Sequence, residues 1–244
     1  MSDILLPPLI LSVILLAIHS YYGIEIIKRN IIFTDLAVGQ MAAAGVAISL
    51  YLLEGQHLYL ISLSFALLAS ILIAYINHRE DISKEAFIGL LYALGISLVF
   101  IVMSKSPHGL EELNNLLAYD ILFTSYQEIL KISVIYLFIG MFIYFFLHRL
   151  KGFIREVAFF TSFAITLTSS VKLAGVFVVF SILIAPTLIS LKLFKKHQIF
   201  YSVIVGTIII LISLTVSYNL DFPTGYTIVF FNTLSAILVS LLKK

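Results

Sequence analysis

The chain has 244 residues, of which 61% are hydrophobic and only 11% are charged, and its mean hydropathy is +1.11. Soluble globular chains average about 25% charged residues, so this composition excludes a water-covered domain and indicates a protein solvated largely by lipid. The net charge of +2 comes without a basic patch typical of nucleic-acid binding, and the absence of cysteine excludes disulfides and thiolate metal sites.

Nine apolar runs are long enough to cross a bilayer as helices, since a span needs about 20 mainly apolar residues. They are residues 5–27, 34–53, 57–76, 86–103, 128–147, 155–171, 173–191, 199–219 and 226–242. The sixth and seventh runs meet at Lys172, so a broken helix or a re-entrant pair is an alternative. The sequence therefore predicts an all-α polytopic membrane bundle of eight or nine transmembrane helices, forming one domain over residues 1–244.

The distribution of basic residues predicts the orientation of this bundle. If the N-terminus is outside, only Lys105, Lys131 and Lys172 of the 15 Lys and Arg residues also lie outside. Because basic residues concentrate in cytoplasmic loops, the pattern predicts an outer N-terminus and a cytoplasmic C-terminus. Removing one crossing between 155 and 191 would separate the last two basic clusters, which favours nine crossings or a re-entrant arrangement of the same parity.

The segment 104–127 differs from the apolar runs around it. A turn signal at residues 106–109 precedes leucines at helical spacing that alternate with Glu and Asn. This pattern predicts an amphipathic helix near 110–124 at the outer interface, serving either as a connection or as a gate.

Three polar residues lie at similar depth within the apolar runs. Counted from the basic inner ends at 1.5 Å per residue, His19 is about 13 Å deep, and Gln40 and Asn232 are about 16 Å deep. Transporters place substrate sites at this depth, although lone polar side chains can also simply bond between helices. Asp35, at the inner start of the second run, either caps that helix or joins the same pathway.

Motifs for ATP binding and hydrolysis are missing from the sequence. It contains no G-x-x-x-x-G-K-[ST], no H-E-x-x-H and no G-x-S-x-G. These absences favour a membrane transport protein over an enzyme, and they require any ATP-driven action to use a partner.

Several patches resemble the ABC-3 family, the integral membrane permeases of bacterial ABC importers for zinc, manganese or iron. In chain order they are KRNIIF at 28–33, QMAAAGVA at 40–47, AFIGLLYALG at 86–95, KLAGVFVVFSILIAP at 172–186 and DFPTGY at 221–226.

The resemblance implies a permease of the bacterial plasma membrane that works by alternating access and binds no cofactor itself. It implies a permease homodimer, a cytoplasmic ATP-binding subunit that uses the ATP, and an extracytoplasmic solute-binding protein. The implied cargo is a divalent metal ion. Alternatives are a permease for another solute, such as a metal chelate or an organic cofactor, and a scaffold subunit that transports nothing.

The second run departs from the family pattern Gly-Asp-x-x-x-His. Aligned on Gly45, this chain has Gln40 in place of the His and Leu36 in place of the Asp, with Asp35 rotated by about 100°. An amide oxygen is a poorer zinc ligand than an imidazole. His19, at similar depth, is the candidate replacement, so His19 and Asp35 are the candidate metal residues.

The inner loop before the sixth run is also shorter than the family's, covering only residues 148–156. Docking of the ATP-binding subunit would then depend on Arg149, Lys151 and Arg155 in this loop, or on Arg79 in the inner loop 77–85.

Overall fold

The computed structural model describes residues 2–79, 81–106, 111 and 121–242. Within these ranges it contains nine long α-helices. In chain order they are α1 (Ser2–Lys28), α2 (Thr34–Leu53), α3 (Leu58–Asn77), α4 (Lys84–Met103), α5 (Tyr126–Phe145), α6 (Gly152–Ala174), α7 (Val176–Leu193), α8 (Gln198–Leu220) and α9 (Thr224–Leu241).

The described helices confirm the all-α membrane bundle that the apolar runs predict. All nine have the length and hydropathy of membrane-spanning segments. Between the sixth and seventh runs, α6 ends at Ala174 and α7 begins at Val176, and only Gly175 separates them. Gly175 has φ +79° and ψ 155°, a conformation that favours glycine over residues with a Cβ atom. The structure thus has two complete helices here rather than one broken helix.

Most of the predicted amphipathic helix near 110–124 lies outside the described residues. Its described end, Ile121–Phe123, forms a 3₁₀ turn in which Ile121 is fully buried. This turn contacts α1 and α9.

The chain divides into two compact units, which we describe separately. The first comprises Met1–Asn30, Tyr119–Tyr136 and Ser170–Lys244, and the second comprises Ile31–Ala118 and Leu137–Ser169. Helices α5 and α6 each contribute one part to either unit. The single domain over residues 1–244 stays a prediction.

In the first unit, α1 packs on α7 and α8, and α9 packs on the same two helices. Glycine allows the closest approach: a Cβ atom on Gly23 would lie 2.2 Å from the carbonyl oxygen of Leu183. Three buried hydroxyls join the helices beside it. Ser20 donates to Ser202 at 2.9 Å, Ser202 lies 3.3 Å from Thr187, and Thr187 donates to Leu183 at 2.8 Å.

In the second unit, α2 packs between α3 and α4, and a glycine lies at each of the two contacts. A Cβ atom on Gly45 would lie 2.7 Å from the carbonyl oxygen of Ile61 on α3, and one on Gly95 of α4 would lie 2.8 Å from the Gln40 backbone. Small residues let helix backbones approach closely in a membrane, where dispersion contacts replace the hydrophobic drive of water. The apolar core of this contact includes Ala44, Ala47 and Val99.

Large apolar side chains cover the outer surfaces of the helices. On α5 the exposed set includes Leu130, Leu137 and Phe138, and on α8 it includes Phe200 and Ile208. Soluble monomers rarely expose this much apolar surface to water, whereas lipid tails solvate it without cost.

We expect Gly23→Ala to lower the free energy of unfolding by about 1–3 kcal/mol, the usual cost of forcing atoms into a packed core. The new Cβ atom would collide with a backbone oxygen, which cannot rotate away. Thermal unfolding of the detergent-purified chain measures the change.

Gly89→Ala is the matched control, because no atom lies within 4 Å of its built Cβ atom. Helix propensity alone predicts that this variant is as stable as the parent chain or slightly more stable. Equal thermal unfolding temperatures of the Gly23→Ala and Gly89→Ala variants would contradict the close contact between α1 and α7.

Candidate functional site

His19 is fully buried in α1, and only one of its two ring nitrogens is bonded to a described residue. Nδ1 lies 2.9 Å from the carbonyl oxygen of Leu15. Because a carbonyl only accepts hydrogen bonds, Nδ1 carries the proton and Nε2 presents a lone pair in the neutral ring. Nε2 has no hydrogen-bond partner among the described residues. A ring fixed by a backbone carbonyl through one nitrogen, with the other nitrogen open, has the arrangement of a metal-ligating histidine.

Asn232 is fully buried near the middle of α9, in the same unit as His19. Its Nδ2 donates to the carbonyl oxygen of Ile228 at 3.1 Å, and its Oδ1 finds no partner in the described part of the chain. The side chain therefore offers an acceptor oxygen. The two residues lie on helices that pack on the same neighbours, α7 and α8, but no hydrogen bond between described atoms joins them.

Asp35 and Gln40 lie on α2 in the second unit. Asp35 is buried at the second position of the helix, and its Oδ1 has no partner among the residues described. Gln40 is partly buried where α2 meets Gly95 of α4. Five residues apart, the two side chains point about 140° apart around the helix axis. They therefore do not share one face of α2.

The position of Asp35 bears on its predicted capping role. The residue before the helix, Phe33, makes no side-chain capping bond, and Asp35 is the acidic residue of the first turn. A carboxylate there suits the positive end of the helix dipole, but an unpartnered buried oxygen also costs about 1–3 kcal/mol. Both the capping and the pathway interpretations of Asp35 stay open predictions.

Among the described residues, no group of three or more His, Asp or Glu side chains could hold a metal ion. His19 and Asp35 belong to different units, and each has its own unpartnered atom. The structure therefore does not supply a closed metal site within one unit.

The two loops with the candidate docking residues, which the charge distribution predicts to lie inside, are joined within the second unit. Nδ2 of Asn77 donates to Oε2 of Glu156 at 2.5 Å, and the rings of His78 and Phe153 lie 6.0 Å apart. Residues 77–79, 81 and 147–156 therefore form one surface, which we call the loop surface. The sequence treats these loops as alternatives, whereas the structure places them side by side.

The basic side chains of the loop surface differ in whether a neighbouring carboxylate neutralises them. Arg79 binds both carboxylate oxygens of Asp81, at 2.8 and 2.6 Å. The hydrogen bond from Arg79 lowers the pKa of the Asp81 carboxyl, and the same bond raises the pKa of Arg79. Both groups stay charged at neutral pH and cancel each other. Exposed Arg149 and Lys151 and partly buried Arg155 form no ion pair with a described carboxylate, so they carry the free positive charge.

Sequence reasoning missed the hydroxyl chain from Ser20 through Ser202 to Thr187 and the bond between Tyr136 and Ser170, whose oxygens lie 2.5 Å apart. Isolated Ser and Thr residues in an apolar run are a weak signal, because they usually bond to their own helix. Only the fold shows which of them bond between helices.

Comparison with known proteins shows which family has this sequence and fold. The model of the ABC 3 transport family matches residues 1–156 and 152–243. The high-affinity zinc uptake system membrane protein ZnuB of Haemophilus influenzae is 21% identical over 261 residues, covering 100% of this chain and 99% of ZnuB.

Two solved structures share the fold. PsaBC from Streptococcus pneumoniae, solved in complex with a Fab, has a TM-score of 0.75 at 19% identity, covering 98% of this chain and 91% of that chain. A structure titled as an inward-facing conformation of a putative metal-chelate type ABC transporter has a TM-score of 0.67 at 17% identity, covering 96% of this chain and 85% of that chain.

Proposed function

The chain belongs to the ABC 3 transport family, and from that premise we propose that it is the permease subunit of an ABC importer for a divalent metal ion. It would expose a cargo pathway alternately to the two sides of the membrane. Zinc, manganese and iron are the ions that the family resemblance implies. The relative ZnuB, named for zinc uptake, supports a metal cargo.

The observation that carries this proposal is the open Nε2 of His19. Hydrocarbon provides no hydrogen-bond partner, so a buried imidazole nitrogen left unbonded destabilises the fold unless water or cargo occupies it. Neutral imidazole is a good ligand for first-row divalent metals. His19 would thus replace the histidine that the family usually has at the position of Gln40.

Oxygen ligands would complete the pathway. Oδ1 of Asn232 and Oδ1 of Asp35 are the two other buried and unpartnered polar atoms among the candidate residues. His19 and Asn232 lie in the same unit, and an imidazole with an amide oxygen is a harder ligand set than several histidines. Harder sets suit manganese or iron(II) better than zinc.

A metal chelate is the second candidate cargo. Gln40 offers an amide rather than an imidazole, and amides hydrogen-bond to organic ligands as readily as they bind metals. The structural similarity to a metal-chelate type transporter agrees with this alternative.

Transport would draw its energy from a separate ATP-binding subunit, because the chain has no P-loop of its own. We place the docking of that subunit on the loop surface, where Arg149, Lys151 and Arg155 offer unpaired positive charge. Two copies of the permease and an extracytoplasmic solute-binding protein would complete the importer. The outer N-terminus and cytoplasmic C-terminus follow from the charge distribution.

We expect His19→Gln to reduce metal uptake at least about tenfold, because losing one metal ligand costs more than the ~1.4 kcal/mol that a factor of ten represents. Yield and co-purification of the ATP-binding subunit should not change. Uptake of zinc, manganese and iron by cells lacking other importers measures the effect.

His57→Asn is the control, since it removes a histidine from the loop after α2, and asparagine tolerates the positive φ of 58° found there. Its uptake should equal that of the parent chain. Normal metal uptake by His19→Gln would exclude His19 as a ligand. If metal uptake is absent in the parent chain and a chelated metal is imported, the chelate alternative holds.

We expect Lys151→Glu to reduce the co-purified ATP-binding subunit by about fivefold or more, because it puts a like charge against an acidic partner surface. Lys131→Glu on α5, which is predicted to lie outside, is the matched charge reversal. Arg79→Glu should have a smaller effect than Lys151→Glu, because Asp81 already neutralises Arg79. Unchanged co-purification in Lys151→Glu would place docking elsewhere.

A further inference from the structure

An open groove of about 670 Å³ runs between α1 and α8 on the outer surface of the first unit. Its α1 wall contains Ala17, Tyr21 and Ile24, and its α8 wall contains Ile199, Phe200 and Val203. None of the residues that line the groove is a candidate pathway residue. Its walls are apolar over most of their length.

The groove ends at a polar mouth. Glu25 and Lys28 of α1 and His197, just before α8, line this end. From Ala17 to Lys28 the helix rises about 16 Å, so the groove extends from mid-helix depth to the basic end of α1. One continuous trough therefore has an apolar body and a charged end.

The charge at the mouth is positive. Exposed Lys28 lies on the groove, and exposed Lys195 and Lys196 directly precede His197 in the chain. The one lining carboxylate, Glu25, is paired with Arg29 at 3.0 Å, so it does not offset Lys28. Helix α8 also starts here, and the side chain of His197 does not cap it. The first-turn N–H groups thus add positive potential at the same point.

The outer surface around the groove is apolar, as a surface in contact with lipid would be. Phe200, Ile204 and Ile208 of α8 are exposed apolar side chains that continue from the groove wall along the helix. The occupant must therefore match an apolar trough within the hydrocarbon and a cationic end at the headgroup level.

We propose that this groove binds an anionic phospholipid, with one acyl chain against Ala17 and Phe200 and its phosphate beside Lys28 and His197. The length of the apolar trough and the sign of its mouth favour a lipid over a soluble anion, which would use only the mouth. On the predicted orientation, the lipid comes from the cytoplasmic leaflet. The inference does not depend on which cargo the chain transports.

The test uses the purified full-length chain and native mass spectrometry. Phosphatidylglycerol and phosphatidylcholine with identical acyl chains are offered at equal concentration. The parent chain should retain phosphatidylglycerol preferentially. Lys28→Gln should weaken that retention about fivefold, the usual effect of one basic residue near an anionic surface. Lys172→Gln removes an exposed charge at the end of α6 and should have no effect.

A second variant tests the apolar body without changing charge. Ala17→Phe fills the trough and should reduce the retention of both lipids, whereas Ala93→Phe adds the same bulk at an exposed position of α4 and should not. This pair decides the question if Lys28→Gln is poorly produced. Equal retention of the two lipids by the parent chain, displacement of the lipid by inorganic phosphate, or equal losses in variant and control would each overturn the proposal.

Discussion

Hydrocarbon offers no hydrogen-bond partner, so every polar group of this chain within the membrane must be bonded inside the protein or be reached by water or cargo. The backbone meets the requirement by forming helices from end to end. Side chains meet it locally, as when Thr187 donates to Leu183 and Ser213 donates to Ile209 one turn earlier. Glycines then let the satisfied helices approach closely, as at Gly23 and Gly95.

The same constraint applies to the residues of the candidate site. Nε2 of His19, Oδ1 of Asp35 and Oδ1 of Asn232 have no partner among the described residues, and the hydroxyls of Ser12, Ser70 and Thr168 share this property. An unsatisfied buried group costs about 1–3 kcal/mol, so three such atoms among the few strongly polar groups of the spans represent a substantial loss of stability. The proposed transport pathway would account for that loss, because a pathway needs ligands that are free when the cargo arrives.

Hydropathy predicts the helices well because lipid imposes length and apolarity on each span separately. The second run, 34–53, coincides with α2, and the single-residue join at Gly175 lies where two runs meet near Lys172. The contacts between helices are beyond this reasoning, since they depend on rotation and tilt. Ser20 and Ser202 bond across 182 positions, and Asn77 and Glu156 across 79. Counting residues from the ends of the runs likewise shows that His19 and Asn232 are polar residues at similar depth. Only the fold shows which of their atoms have no hydrogen-bond partner among the described residues.

The link between α6 and α7 has a mechanical consequence. One residue reaches at most about 3.6 Å, so Gly175 gives the end of α6 and the start of α7 almost no slack. A shift of the first turn of α7 must be followed by the last turn of α6, unlike the connection between α7 and α8, where residues 194–197 can extend. In any conformational cycle of this chain, the first turn of α7 therefore cannot move away from α6, whereas its last turn can move relative to α8.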